Sequence, residues 1–135
     1  MKVLTIQEPY ATFIMKDFKR IETRSFKTNY RGEIYIHAGL SNNFLNKISD
    51  DYILSLFDKS MLNYGKIICK ARLTDCIYMT NEYIEDLKSK NNREFMLGDY
   101  KVGRYAWILE DVEELDEKIS VKGKLGIWNM EDKWW

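Results

Sequence analysis

The sequence predicts an α+β domain built on a twisted, partly closed mixed sheet of about six strands, with helices at its rim. Three observations lead there. Short apolar runs with two-residue alternation recur along the chain, bounded by turn residues. Stretches with helical spacing fall singly between them, without direct βαβ repetition. The 135 residues, 45% hydrophobic and 31% charged, suffice for one core and are too few for two ordinary ones, so residues 1–135 read as a single domain.

Taken in order, Lys2–Ile6 reads as a first strand. Glu8-Pro9 opens a helix, since proline suits a first turn and a carboxylate favours its positive end. Tyr10, Phe13 and Ile14 give that helix an apolar stripe, and it ends near Lys16-Asp17. Ile21–Phe26 is a second strand, Asn29-Tyr30-Arg31-Gly32 a turn, and Glu33–His37 a third strand. Ser41-Asn42-Asn43 supplies capping residues for apolar positions from Phe44 to Phe57, either one bent helix or two short ones with Ser49-Asp50-Asp51 capping the second. Lys66–Tyr78 is a long strand with Ile67, Cys69, Ala71 and Leu73 on one face. Thr80-Asn81 begins a helix to about Lys88, acids early and lysines late. Asn91–Gly103 reads as a loop, and Arg104–Leu109 and Ile119–Lys122 as the last two strands.

Composition narrows the class. One Pro and seven Gly leave no disordered linker, and no window approaches 18 consecutive apolar residues. Pro9 follows too soon for a signal peptide, so a cytoplasmic protein with no membrane partner is expected. Cys69 and Cys76 with one histidine, His37, fall short of the roughly four soft ligands of a zinc site, and the expectation is no metal, no cofactor and no disulfide. There is no Walker loop, dinucleotide fingerprint or nucleophile elbow.

Net charge is zero, but its distribution is uneven. Residues 1–31 carry seven Lys/Arg against three Asp/Glu, whereas residues 75–117 carry twelve acids against five bases. That predicts a basic face near the first motif and an acidic back, unless folding disperses both clusters.

The densest chemistry lies in Lys19-Arg20-Ile21-Glu22-Thr23-Arg24 and the Ser25-Phe26-Lys27-Thr28 that follows. On a strand, Glu22, Arg24 and Phe26 share one face, with Lys19 on the turn before. Glutamate can accept base N–H groups, arginine can fork to phosphate and phenylalanine can stack. The same spacing also suits an ordinary solvated face with a cross-strand ion pair.

These residues carry a resemblance. Gln7-Glu8-Pro9-Tyr10-Ala11, Lys19-x-x-Glu22-x-Arg24-Ser25-Phe26-Lys27-Thr28, Tyr30-Arg31-Gly32 and Ile36-His37-Ala38 match the order of motifs in ASCH (activating signal cointegrator homology) domains. Gly103-Arg104-Tyr105-Ala106-Trp107 and Val121-Lys122-Gly123-Lys124-x-Gly126-Ile127-Trp128-Asn129 extend the match over nearly the whole chain. The resemblance implies a PUA-like β-barrel, with helices at its rim and a cleft lined by the GxKxxExR signature. PUA-like relatives bind RNA or modified bases. Some ASCH proteins resemble hydrolases that deacetylate acetylated cytidine, and others are described as nucleases or cofactor-associated RNA binders. Two departures stand out. Asp17 replaces the signature glycine, and Glu22 stands where the hydrolases carry their proposed threonine nucleophile.

The expected ligand is RNA, single-stranded nucleic acid or a modified nucleoside, held by Gln7, Pro9, Tyr10, Lys19, Glu22, Arg24, Lys27, Arg31, Lys122 and Lys124. Lys19 and Glu22 are the candidate catalytic residues if the cleft turns over its ligand as a small hydrolase or nuclease. His37 reads as structural more readily than catalytic. A protein-interaction module is the third reading, with Trp134-Trp135 as an apolar end suited to self-association.

Overall fold

The computed structural model describes residues 1–131, so the expectation placed on Trp134-Trp135 lies outside the described residues. Six strands form one mixed sheet: β1 (Lys2–Ile6), β2 (Ile21–Arg24), β3 (Gly32–Ala38), β4 (Lys66–Tyr78), β5 (Tyr105–Ser120) and β6 (Ile127–Asn129). Their order is β2-β5-β4-β3-β1-β6, and the sheet curls into a half-barrel. Only the β1–β3 pair among these is parallel, with Leu4 opposite Ile36; the others are antiparallel. The helices are α1 (Tyr10–Met15), α2 (Asp51–Ser55), α3 (Asn81–Lys90) and α4 (Asn92–Met96).

The first three strands, β4 and the starts of α1 and α3 lie where the pattern places them. Thr80 caps α3 by accepting from the Tyr83 N–H, and Asp50 caps α2 by accepting from Ile53 N–H. The stretch from Phe44 to Phe57 is therefore broken, as its internal capping residues allow. Asp17 takes φ +64, the left-handed conformation that the signature glycine would adopt without strain.

The last third differs from expectation. Arg104–Leu109 and Ile119–Lys122 are not two strands: β5 runs unbroken from Tyr105 to Ser120, through the acidic stretch between them. The sixth strand is instead β6, which closes on β1 through Val3 and Trp128. Within the expected loop 91–103, Asn91 caps α4 by accepting from the Glu94 N–H.

The main core joins Leu4, Ile6, Ile14, Ile36, Cys69, Leu73 and Trp107 between α1 and the sheet. Ile67 does not share a cluster with Cys69, Ala71 and Leu73 as two-residue alternation predicts. The β4–β5 register shifts between Ile67 and Cys69, so Ile68 enters the main core while Ile67 packs with Val3 and Trp128. Both cysteines are free thiols.

A cleft built on the KxxExR signature

The strand β2, the segment after β1, the loop after α4 and the loop between β5 and β6 enclose a cleft of about 730 Å³. That lies within the ~300–1,000 Å³ of small-molecule sites. Glu22, Arg24 and Phe26 all line it, but so do Thr23 and Ser25, which alternation places on the other face; β2 itself ends at Arg24, and Lys19 lines the cleft from the turn before.

Lys19 is 1% exposed. Its Nζ donates to the carbonyl oxygens of Ile21 at 2.5 Å and Leu97 at 2.8 Å, and lies 3.9 Å from Glu22 Oε1. It thereby ties the start of β2 to the end of α4. Burial pushes the ammonium below the ordinary lysine range, against the carboxylates of Glu22 and Glu94, which push it up. Its Nζ also sits 5.7 Å from the centre of the Tyr10 ring.

Glu22 is 9% exposed and gripped by Arg24. Arg24 Nε donates to Glu22 Oε2 at 3.0 Å, and Nη2 donates to the Thr5 carbonyl at 2.8 Å. The guanidinium therefore bridges β2 to the end of β1, with the Trp107 ring 5.8 Å from its Cζ. The Nη1 end makes no such bond among the described residues.

The opposite wall is the 121–126 loop. His37 Nε2 lies 2.7 Å from the Val121 carbonyl, so that nitrogen carries the proton and donates. Nδ1 then accepts from the Thr5 hydroxyl at 3.3 Å, and Thr5 Oγ1 accepts from Trp128 Nε1–H at 3.0 Å. Position 123 has to be glycine, because a Cβ there would stand 2.4 Å from the His37 ring and 2.9 Å from Thr5 Oγ1. The histidine thus has the structural role of seating this loop, and the loop turns Lys122 and Lys124 onto the cleft.

Not every expected residue gathers here. Gln7, Tyr10, Lys122 and Lys124 line the cleft; Pro9, Lys27 and Arg31 do not. Arg31 instead donates to the carbonyls of Thr28 and Tyr30 and lies 3.9 Å from Asp75. The opening of α1 offers no ready anion site either, since the Ala11 N–H bonds Gln7 O and the Thr12 N–H bonds Glu8 Oε1.

Other residues came without a sequence signal strong enough to single them out. Arg104, Leu40, Phe44 and Leu125 also line the cleft, the last 97% exposed. Glu94 is buried behind Lys19, accepting from the N–H groups of Arg20 and Ile21 at 2.6 and 3.4 Å. Arg104 belongs to the Gly103-Arg104-Tyr105 motif, which was the available clue; Glu94 had none beyond its charge. Five cations line the cleft against two acids, Glu22 and Asp99, in a chain of zero net charge. The basic bias is therefore real, but it belongs to the cleft rather than to residues 1–31 as a block. No cluster of His, Cys, Asp or Glu suited to a metal occurs among the described residues.

The family profile described as the ASCH domain matches residues 4–121. The chain belongs to the ASCH domain family, and its half-barrel is PUA-like. Among solved structures it resembles the ASCH protein of Zymomonas mobilis, with 15% identity, a TM-score of 0.61, and coverage of 98% of this chain and 88% of that one. A tyrosine-to-phenylalanine variant of that bacterial protein matches at 15% identity and TM-score 0.58, over 97% of this chain and 90% of the other. Its serine-to-alanine variant matches at the same identity and score, over 97% and 88%. No curated protein matches the chain by sequence.

Proposed function

We propose that the cleft binds RNA or a modified nucleobase, with the base against Glu22 and Tyr10 and phosphate at Lys122, Lys124 and the free end of Arg24. One observation carries this: a cleft of nucleotide size in which two carboxylates, Glu22 and Asp99, stacking rings and an excess of cations converge. Glu22 accepts N–H donors, the rings of Tyr10 and Phe26 offer faces, and the loop lysines have no ion pair among the described residues. No described helix is long and apolar enough to cross a membrane, and the free thiols agree with a reducing compartment such as the cytoplasm. The test is titration of single-stranded RNA across a salt series. Affinity that falls steeply with salt supports the reading, and no binding at any salt removes it.

A hydrolase or nuclease acting in the same cleft is the second reading. Its support is the burial of Lys19 beside Glu22, which lowers the lysine toward the range of a general base. Its weakness is that two Lys19 donors are taken by backbone carbonyls and Glu22 occupies the threonine position. Turnover of acetylated cytidine or RNA, lost in Lys19→Met while the fold persists, would promote it.

A further inference from the structure

The rings at this cleft fall into two groups. Phe44 meets Tyr10 edge-on with ring centres 5.8 Å apart, and the Tyr10 ring centre lies 5.7 Å from Lys19 Nζ. Phe26 meets Trp107 edge-on at 5.6 Å, and Trp107 lies 5.8 Å from Arg24 Cζ. No ring contact joins one group to the other among the described residues. Between them stands the ion triad of Lys19, Glu22 and Arg24, with Glu22 3.9 Å from the lysine and 2.9 Å from the arginine. The contacts across the cleft thus run from ring to charge to ring.

Both outer rings are open to solvent, Phe26 at 50% and Phe44 at 47%. Of the eight large hydrophobic side chains exposed among the described residues, four line this cleft: these two with Leu40 and Leu125. Scattered exposed apolar residues need no explanation, but half of them converging on one cleft marks a surface that a ligand covers. One base does not cover both ends. Sandwiching a single base takes platforms about 7 Å apart, twice the stacking repeat. Here Glu22 and Arg24 alone are about 6.6 Å apart along β2, and each ring group touches its own end of the triad. The loop lysines on the opposite wall, Lys122 and Lys124, favour a polyanionic strand over an apolar peptide as the cover.

We propose that the Phe26 end is a second base site, so that the cleft takes two successive unpaired nucleotides of one strand. One base lies at Tyr10 and Phe44, and its neighbour lies on Phe26. This rests on the nucleobase reading above and sets the length of its ligand. RNA and single-stranded DNA share this chemistry.

The experiment is calorimetric titration of the intact chain with hexanucleotide backbones that are fully abasic, carry one adenine, carry two adjacent adenines, or carry two adenines separated by abasic positions. Every member has the same phosphates, so electrostatics stay constant across the series. The adjacent pair should bind about tenfold or more tightly than one adenine, the gain of one further stacked base. The separated pair should show only the statistical gain of a second base. Phe26→Ala, with circular dichroism confirming the fold, should reduce the adjacent pair to that statistical gain. Ribose and deoxyribose versions distinguish the sources: a gain on ribose alone identifies RNA, and an equal gain on both identifies a single strand of either sugar. An adjacent pair that binds no better than the separated pair overturns the second site, while preference for one adenine over the abasic backbone leaves the nucleobase reading intact. A gain that survives Phe26→Ala puts the second base elsewhere and overturns the Phe26 assignment. Absence of binding in every arm overturns both readings.

Discussion

Arg24 holds Glu22 by a single oxygen, with Nε 3.0 Å and Nη2 2.9 Å from Glu22 Oε2, and so leaves Oε1 on the Lys19 side at 3.9 Å. The orientation follows from β2 alternation, which puts both side chains on one face, and from the Thr5 carbonyl, which fixes the far side of the guanidinium. One oxygen of the carboxylate is thereby committed to the fold, while the other faces Lys19.

Arg24→Lys keeps the charge but cannot reach both Glu22 and Thr5 with a planar fork. It should lower stability by about 1–3 kcal/mol, because a mostly buried carboxylate loses charge-assisted bonds. Urea unfolding of the two proteins measures this. A loss under a few tenths of a kcal/mol would show the bridge to be incidental.

Glu22→Gln retains shape and replaces one acceptor with a donor. The expected result is a changed preference among nucleosides with a modest loss of stability, about 1 kcal/mol, as the bond from Arg24 becomes uncharged. Thermal melts beside binding titrations separate the two effects. Altered stability with unchanged nucleoside preference would leave Glu22 as an anchor only.

Lys19 gives a pH signature. Its proton is held less tightly in the folded chain than in the unfolded one, because burial disfavours the charge. The folded state therefore sheds that proton first. Stability gains from Lys19 as pH rises through the depressed folded value toward the ordinary 10.5, above which the gain is complete. Lys19→Met removes this contribution, so the stability of the wild type relative to the variant should rise with alkaline pH. Parallel urea titrations from neutral to alkaline pH measure it, and a falling difference would mean that Glu22 and Glu94 outweigh burial.

The two thiols should differ sharply. Cys69 is fully buried in the main core, and burial pushes its thiol up to about 12, so it stays protonated and enclosed. Cys76 is half-buried. A thiol reagent should modify Cys76 alone in the native protein and reach Cys69 only on unfolding. Native-state labelling of Cys69, located by peptide mass, would contradict the packing.

How much of this was legible depended on where local pattern and tertiary demand agreed. The first three strands, α1 and the signature face were readable because alternation, capping and turn residues coincide there. The second half of β5 was not. From Glu110 to Glu117 its residues are mostly acidic and solvated, so no apolar alternation marks a strand; it exists because it pairs with β4, with Lys70 lying between Glu33 and Glu113. Asp111 at φ +53 and the repeated register shifts with β4 break the two-residue period further. Lys19 showed its chemistry but not its burial. A lysine on a turn usually meets water, and only the arrival of Leu97 from far along the chain, with Glu94 buried behind it, encloses this one. Likewise the placement of Lys122 and Lys124 on the cleft wall depends on His37 packing beneath Gly123, a long-range contact that no local pattern marks.

The central claim is that the cations of this cleft, and not basic residues elsewhere, meet a nucleic-acid backbone. The most direct measurement is the slope of log affinity against log salt for a single-stranded RNA, compared between the wild type and two double variants. Lys122→Ala with Lys124→Ala should weaken binding and flatten the slope by about 1.4 units, roughly 0.7 per lost phosphate contact. Lys27→Ala with Arg31→Ala, both off the cleft, should leave the slope nearly unchanged. The reverse pattern, with the slope carried by Lys27 and Arg31, would contradict the account.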